Sequence, residues 1–197
     1  MLAAVILSGG ASRRMGSPKA LLDYQGRPFL EHLLEITRHP QVGVRRVVLG
    51  AHAEPIAKSI ALTADDIVVN ADWQQGQLSS IQAAIRSLPP DTDGMLLCLV
   101  DHPLISAALV DQLIAEFYAA RKLIVLPVFE QRRGHPVIFS AALYDELLRA
   151  SPATGARAVV WAHGADVREV PTTEEGCVLN LNDPAAFERL KTRAKST

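Results

Sequence analysis

The stretch Ala3-Ala4-Val5-Ile6-Leu7-Ser8-Gly9-Gly10-Ala11-Ser12-Arg13-Arg14-Met15-Gly16-Ser17-Pro18-Lys19 joins an unbroken apolar run to a glycine-rich, cationic loop. An apolar run without polar alternation predicts a strand buried on both faces, as in a parallel sheet. The glycines behind it let the backbone approach a ligand closely. Successive backbone N–H groups of Leu7, Ser8, Gly9, Gly10, Ser12 and Gly16 can then face a phosphate. Arg14 offers a forked donor and Lys19 a point charge. A solvated glycine turn is the bland alternative, and two glycine positions, two arginines and a lysine behind a first strand outweigh it. Two familiar phosphate loops are excluded. A Walker loop needs Gly-Lys before Ser or Thr, but Ser17-Pro18 follows Gly16. A dinucleotide fingerprint needs GxGxxG, which Gly9, Gly10 and Gly16 do not form.

Outward from this stretch, apolar runs alternate with amphipathic segments. Arg46–Leu49, Ile67–Val69, Met95–Val100 and Ile124–Val128 read as further strands. Phe29–Arg38, Glu54–Ala61, Leu78–Leu88 and Leu109–Arg121 read as helices. Pro136–Phe139 and Val167–Val170 suit strands, Ala141–Ala150 and Arg157–Ala162 helices. A closing helix starts near Asp183-Pro184, with Asp183 as N-cap and Pro184 at the first helical position. The alternation predicts an α/β fold: an open, mostly parallel, Rossmann-like sheet with helices on both faces. No linker or internal repeat interrupts it, so residues 1–197 are expected to form one domain. Ligands of such sheets sit at the carboxyl ends of the strands, and the chemically suggestive residues fall there.

The 197 residues, 49% hydrophobic, suffice for one sizeable core. A formal charge of −1 advertises no nucleic-acid or membrane partner. No stretch approaches the ~20 apolar residues of a membrane span, and no signal peptide is apparent, so a cytoplasmic protein is expected. Cys98 reads as a buried structural thiol and Cys177 as a surface thiol without a role.

Asp101, directly after Met95–Val100, is placed to hold Mg²⁺ beside a triphosphate, since magnesium takes carboxylate, phosphate and water oxygens. A turn cap is the alternative. His102 could serve as a base, but a phosphate nucleophile is already anionic near neutral pH. Asn70, Ser79 and Ser80 follow the third strand, where the serines offer hydroxyls or an ordinary helix cap. Arg133-Gly134-His135-Pro136 is a compact basic turn, open between an acceptor phosphate site and a solvated loop.

These windows resemble the MobA-like nucleotidyltransferases. The signature Leu-x-x-Gly-x-Ser-x-Arg-Met-Gly-x-x-Lys is matched at Leu7, Gly10, Ser12, Arg14, Met15, Gly16 and Lys19. The resemblance implies a nucleotide-diphospho-sugar-transferase-like fold and a triphosphate neutralised by Arg14 and Lys19, which with Asp101 form the catalytic set. Trp73, Gly76, Ser79 and Ser80 fit the Trp-x-x-Gly-x-x-Ser-Ser pattern of the molybdenum cofactor cytidylyltransferase (MocA-like) branch. Gly9-Gly10 looks like the guanylyltransferase branch. The longer window favours CTP over GTP. Gly134-x-Pro136-Val137 resembles the acceptor segment and Gly155-Ala156-Arg157 a family turn. Where the cytidylyl branch carries Asp-Ile-Asp-Thr-Pro-Glu, this chain has Asn180-Leu181-Asn182-Asp183-Pro184-Ala185. Asn182 is therefore the second candidate metal ligand, one that brings no negative charge. The resemblance implies a molybdopterin-type acceptor and a molybdoenzyme or its chaperone as protein partner. A guanylyltransferase, or a non-catalytic cofactor carrier, is the alternative.

Overall fold

The structure is a computed structural model that describes residues 1–182 together with residues 184, 185, 187 and 188. The chain runs β1 (Leu2–Ser8), β2 (Asp23–Tyr24), β3 (Arg27–Pro28), α1 (Phe29–Ile36), β4 (Val42–Leu49), α2 (Ala53–Ser59), β5 (Ile67–Val69), α3 (Gln77–Ser87), β6 (Gly94–Leu99), α4 (Ala107–Ala120), β7 (Ile124–Phe129), β8 (Arg132–Arg133), β9 (Val137–Ser140), α5 (Tyr144–Arg149), α6 (Arg157–Ala162) and β10 (Val167–Pro171). The main sheet has the order β10-β7-β9-β6-β1-β4-β5, with β8 on β7 and a separate β2–β3 hairpin. β1 lies parallel between β4 and β6, so Leu7 pairs with Val48 on one side and Leu99 on the other. All seven β1 residues are buried, as an apolar run of that length requires.

Side chains alternate between two cores. Leu2 and Ile6 join Val47, Leu96, Cys98 and the apolar faces of α1, α2 and α4. Val5 and Leu7 join Val48, Met95, Leu97 and α3, α5 and α6. Helices thus cover both faces. α1 contributes Phe29, Leu30, Leu33 and Leu34 from one stripe, and ends where Thr37 turns its hydroxyl back to the Leu33 carbonyl at 2.8 Å. The Ser106 hydroxyl caps α4 by accepting from the Leu109 N–H at 3.1 Å.

Several expectations shift. β4 begins four residues before Arg46, because Arg45 reaches Asp66 at 3.3 Å and Arg46 the Ser87 carbonyl, so both charged heads find acceptors. The strand at 137–140 is antiparallel to both β6 and β7, a direction that residue pattern does not encode. The basic turn is part of a hairpin: Glu130 and Gln131 both have positive φ between β7 and β8. The expected helix at 141–150 opens as a tighter turn, Ala141–Leu143, before α5. Cys177 is fully buried rather than exposed, since the segment after β10 folds back over the sheet. Pro184, Ala185, Phe187 and Glu188 are helical, while the proposed cap Asp183 lies outside the described residues. Among the described residues no helix is long and apolar enough to cross a membrane.

Candidate active site

From β1 the chain crosses to β4 and β5 on one side, then returns to β6 on the other. At such a reversal the connections leave the strand ends in opposite directions and a crevice opens. The cleft there, of about 350 Å³, is lined by Leu7, Ser8, Gly9, Gly10, Ser12 and Lys19, by Trp73, Gln74, Gly76, Gln77 and Ser80, and by Leu99, Val100 and Asp101. That volume is within the usual range of small-molecule pockets.

The loop after β1 is tied at its neck, where the Ser12 hydroxyl accepts from the Lys19 backbone N–H at 3.2 Å. Ser12 and Gly16 take positive φ, and Met15 packs against the core from inside the loop. Its floor is a segment with no signal in the sequence. The Ala51 N–H donates to the Gly9 carbonyl at 3.1 Å, and His52 Nε2–H donates to the Ala11 carbonyl at 2.9 Å. A Cβ on Gly50 would stand 2.4 Å from the Gly9 oxygen and 2.7 Å from Trp73 Cβ. Only glycine fits there. Arg14 lies exposed on the loop, outside the cleft lining.

On the opposite wall, buried Asn70 donates to the Ser79 hydroxyl at 2.8 Å and the Ser80 hydroxyl at 3.0 Å, and accepts from the Asp72 N–H at 3.0 Å. Ser79 also donates to the carbonyls of Asp72 or Gly76 and does not cap α3, whose cap position is Gly76 at φ +100°. Ser80 alone of this trio lines the cleft; Asn70 and Ser79 brace the turn that carries it.

Lys19 connects the two remaining candidates. Its ammonium lies 3.5 Å from Asp101 Oδ2 and donates to Asn182 Oδ1. Asn182 is delivered by a strap, residues 172–182, that crosses the strand ends. The Glu174 carboxylate accepts from the Ser106 N–H at 3.1 Å, the Cys177 carbonyl accepts from the His135 N–H at 2.8 Å, and the Leu181 N–H donates to the Asp101 carbonyl at 2.8 Å. Among the described residues no group of three or more His, Cys, Asp or Glu side chains could hold a metal. The Asp101 carboxylate and Asn182 amide oxygen nonetheless fit a magnesium ion that keeps phosphate and water ligands. They already share one cation.

The acceptor candidates lie elsewhere. Arg133 is exposed on β8 and pairs with Glu169 at 2.7 Å. Gly134 is buried, and a Cβ there would meet the Cys177 oxygen at 2.5 Å, so its close approach is to the strap. Pro136 is buried behind it. The His135 ring lies 5.1 Å from that of His102, tilted by 53°; His102 is 6% exposed, and both Nδ1 atoms are buried without hydrogen-bond partners among the described residues. Burial first, and then His102, push His135 down from 6.5 to about 4, against the pull of Asp101. Burial likewise lowers His102. His102 is enclosed and does not line the cleft. Between pH 6.5 and about 4 the unfolded chain binds a proton at residue 135 that the native state excludes. Stability is therefore full above pH 6.5 and falls as pH drops toward 4. Urea midpoints are expected to be lower at pH 5 than at pH 7.5, and a smaller drop is expected in His135→Gln. A drop of the same size in that variant would show the ring to be solvated.

A parallel core with a glycine loop, an acid at the neighbouring strand end and a cleft between them defines a nucleotide-binding α/β protein of the nucleotidyltransferase type. The chain belongs to the MobA-like NTP transferase family, whose domain profile matches residues 4–167. It is 33% identical over 147 residues to nicotine blue oxidoreductase of Paenarthrobacter nicotinovorans, covering 71% of each chain. It is 30% identical over 174 residues to the molybdenum cofactor guanylyltransferase of Rhizobium meliloti, covering 85% of this chain and 78% of that one. Rv0371c of Mycobacterium tuberculosis superposes with a TM-score of 0.81 at 28% identity, over 96% of this chain and 97% of that one. The mycobacterial protein has also been solved in complex with manganese.

Proposed function

We propose that this protein joins the nucleoside monophosphate of an NTP, CTP being favoured, to a phosphorylated acceptor of the molybdopterin type. The observation that carries the reading is the Lys19–Asp101–Asn182 cluster, whose Lys19 and Asp101 line the same cleft as the glycine loop. A phosphate oxygen of the acceptor forms a bond to the α-phosphorus. The bond from that phosphorus to the pyrophosphate oxygen breaks, and pyrophosphate leaves. The loop N–H groups and Lys19 would hold the triphosphate in line, and Arg14 would close over its outer charge from the exposed side. Such positioning and charge stabilisation are the main sources of rate in phosphoryl chemistry. Asp101 and Asn182 would hold Mg²⁺, which supplies Lewis acidity at the phosphates. The acceptor would enter beside the strap and residues 133–136.

Guanylyl transfer is the second reading, and Gly9 favours it. A methyl there would stand 3.0 Å from Ser80 Oγ, so its absence widens the cleft at the base-side hydroxyl. The guanylyltransferase relative points the same way.

Thermal-shift titration with CTP, GTP, ATP and UTP plus Mg²⁺ tests both. A ligand specific to the native state adds ~2.7 kcal/mol at a hundredfold excess over Kd. The largest shift is expected with CTP; the largest with GTP would establish the second reading, and none with any triphosphate would refute both. Because one relative bears an oxidoreductase name, pyrophosphate release is the deciding activity. Binding without release would indicate a carrier. Arg14→Ala is expected to weaken triphosphate binding about tenfold while leaving acceptor affinity unchanged; equal losses would remove Arg14 from the triphosphate.

A further inference from the structure

Lys19 is assigned to the triphosphate, yet its ammonium here lies between the two oxygens assigned to the metal. The side chains of Lys19 and Asp101 are 15% and 21% exposed, so water screens this cluster only in part. A divalent cation taking both oxygens would stand beside the ammonium, a like-charge contact in a half-buried setting. The two cations therefore compete for one pair of donors. The root of Lys19 is fixed by the bond from its N–H to Ser12, whereas its tip is held only by Asp101 and Asn182 at the end of a flexible four-carbon stem. The glycine loop, where anionic oxygens would sit, lines the same cleft.

We infer that Lys19 is a built-in cation that closes the Asp101–Asn182 oxygen pair to free metal until a triphosphate draws it away. The inference rests on the metal assignment made above. It makes binding of nucleotide and metal mutually supportive: the triphosphate removes the competing charge, and the incoming metal replaces it on the two oxygens. Linkage makes that coupling reciprocal.

Mn²⁺ titration of nucleotide-free protein, followed by electron paramagnetic resonance of the free ion, tests the inference without any turnover. Lys19→Met removes the charge at similar length, and Lys19→Arg keeps it. Lys19→Met is expected to tighten Mn²⁺ binding by roughly tenfold, the scale of a typical coupling, while Lys19→Arg stays near wild type. Asp101→Asn should cancel the gain in the double variant. Unchanged or weaker binding in Lys19→Met, with Asp101→Asn still lowering affinity, would overturn the closure and leave the metal assignment standing. No effect of Asp101→Asn in either background would overturn the metal assignment and the inference together.

Discussion

Asp101→Asn is expected to leave a folded protein that binds triphosphate and releases pyrophosphate about 100- to 1,000-fold more slowly, the scale of losing one preorganised charge contact. The substitution keeps the volume and one acceptor oxygen, while the other oxygen becomes an NH2 donor. Its backbone carbonyl still accepts from the Leu181 N–H at 2.8 Å, so the strap stays anchored. Lys19 loses its carboxylate neighbour but keeps Asn182. What disappears is the negative charge in the cleft beside Lys19, and with it the stronger of the two proposed metal donors. Single-turnover pyrophosphate release, read beside the thermal midpoint, separates chemistry from folding. Near-wild-type release would take Asp101 out of the reaction, and a collapsed midpoint would make its role structural.

Gly50→Ala is expected to damage folding and binding together. The added methyl would press on the Gly9 carbonyl, which is backbone, and on Trp73, which heads the base-side turn. Neither is the far end of a flexible side chain. Overpacking of this kind costs about 1–3 kcal/mol, and each kcal/mol lowers the midpoint of a protein this size by about 2–4 °C. Triphosphate affinity should fall about tenfold or more, because the two groups displaced are walls of the cleft. Gly10→Ala is the matched control: a Cβ there meets nothing within 4 Å, so the midpoint should hardly move. Equal destabilisation by both would show that the loop is indifferent to the residue beneath it.

The contrast between these glycines shows what could be read from the chain and what could not. Gly9 and Gly10 announce themselves because they sit in a run with Ser12, Arg14 and Lys19 directly behind an apolar strand. Gly50 also follows a strand, but its need for a bare Cα comes from Gly9 and Trp73, 41 and 23 positions away, and appears only once β4 lies beside β1. His52 is hidden for the same reason. Asp101 was readable because strand ends are where open α/β sheets place chemistry. That Asn182 reaches Lys19 required the strap, whose path is set by backbone bonds to His135 and Asp101 rather than by any local pattern. The direction of the strand at 137–140 escaped because a short apolar run is the same read either way. Cys177 looked exposed amid polar neighbours, and is buried because Gly134 and His135 close on it. The turn at 133–136 reads in the sequence as a cationic acceptor candidate; in the structure Arg133 pairs with Glu169, and Gly134 and His135 meet the strap.

The contact between Lys19 and Asn182 joins residues 163 positions apart. Contacts at such separation are non-local and carry a loop-closure cost that nearer contacts do not. During synthesis Lys19 precedes Asn182 by 163 residues, so the glycine loop is made well before this partner. A chain without the strap would present the glycine loop and Asp101 but not the Asn182 oxygen. Lys19 and Asn182 thus lie on segments made far apart in time, and the Asn182 oxygen reaches the Lys19 ammonium only once the strap is in place.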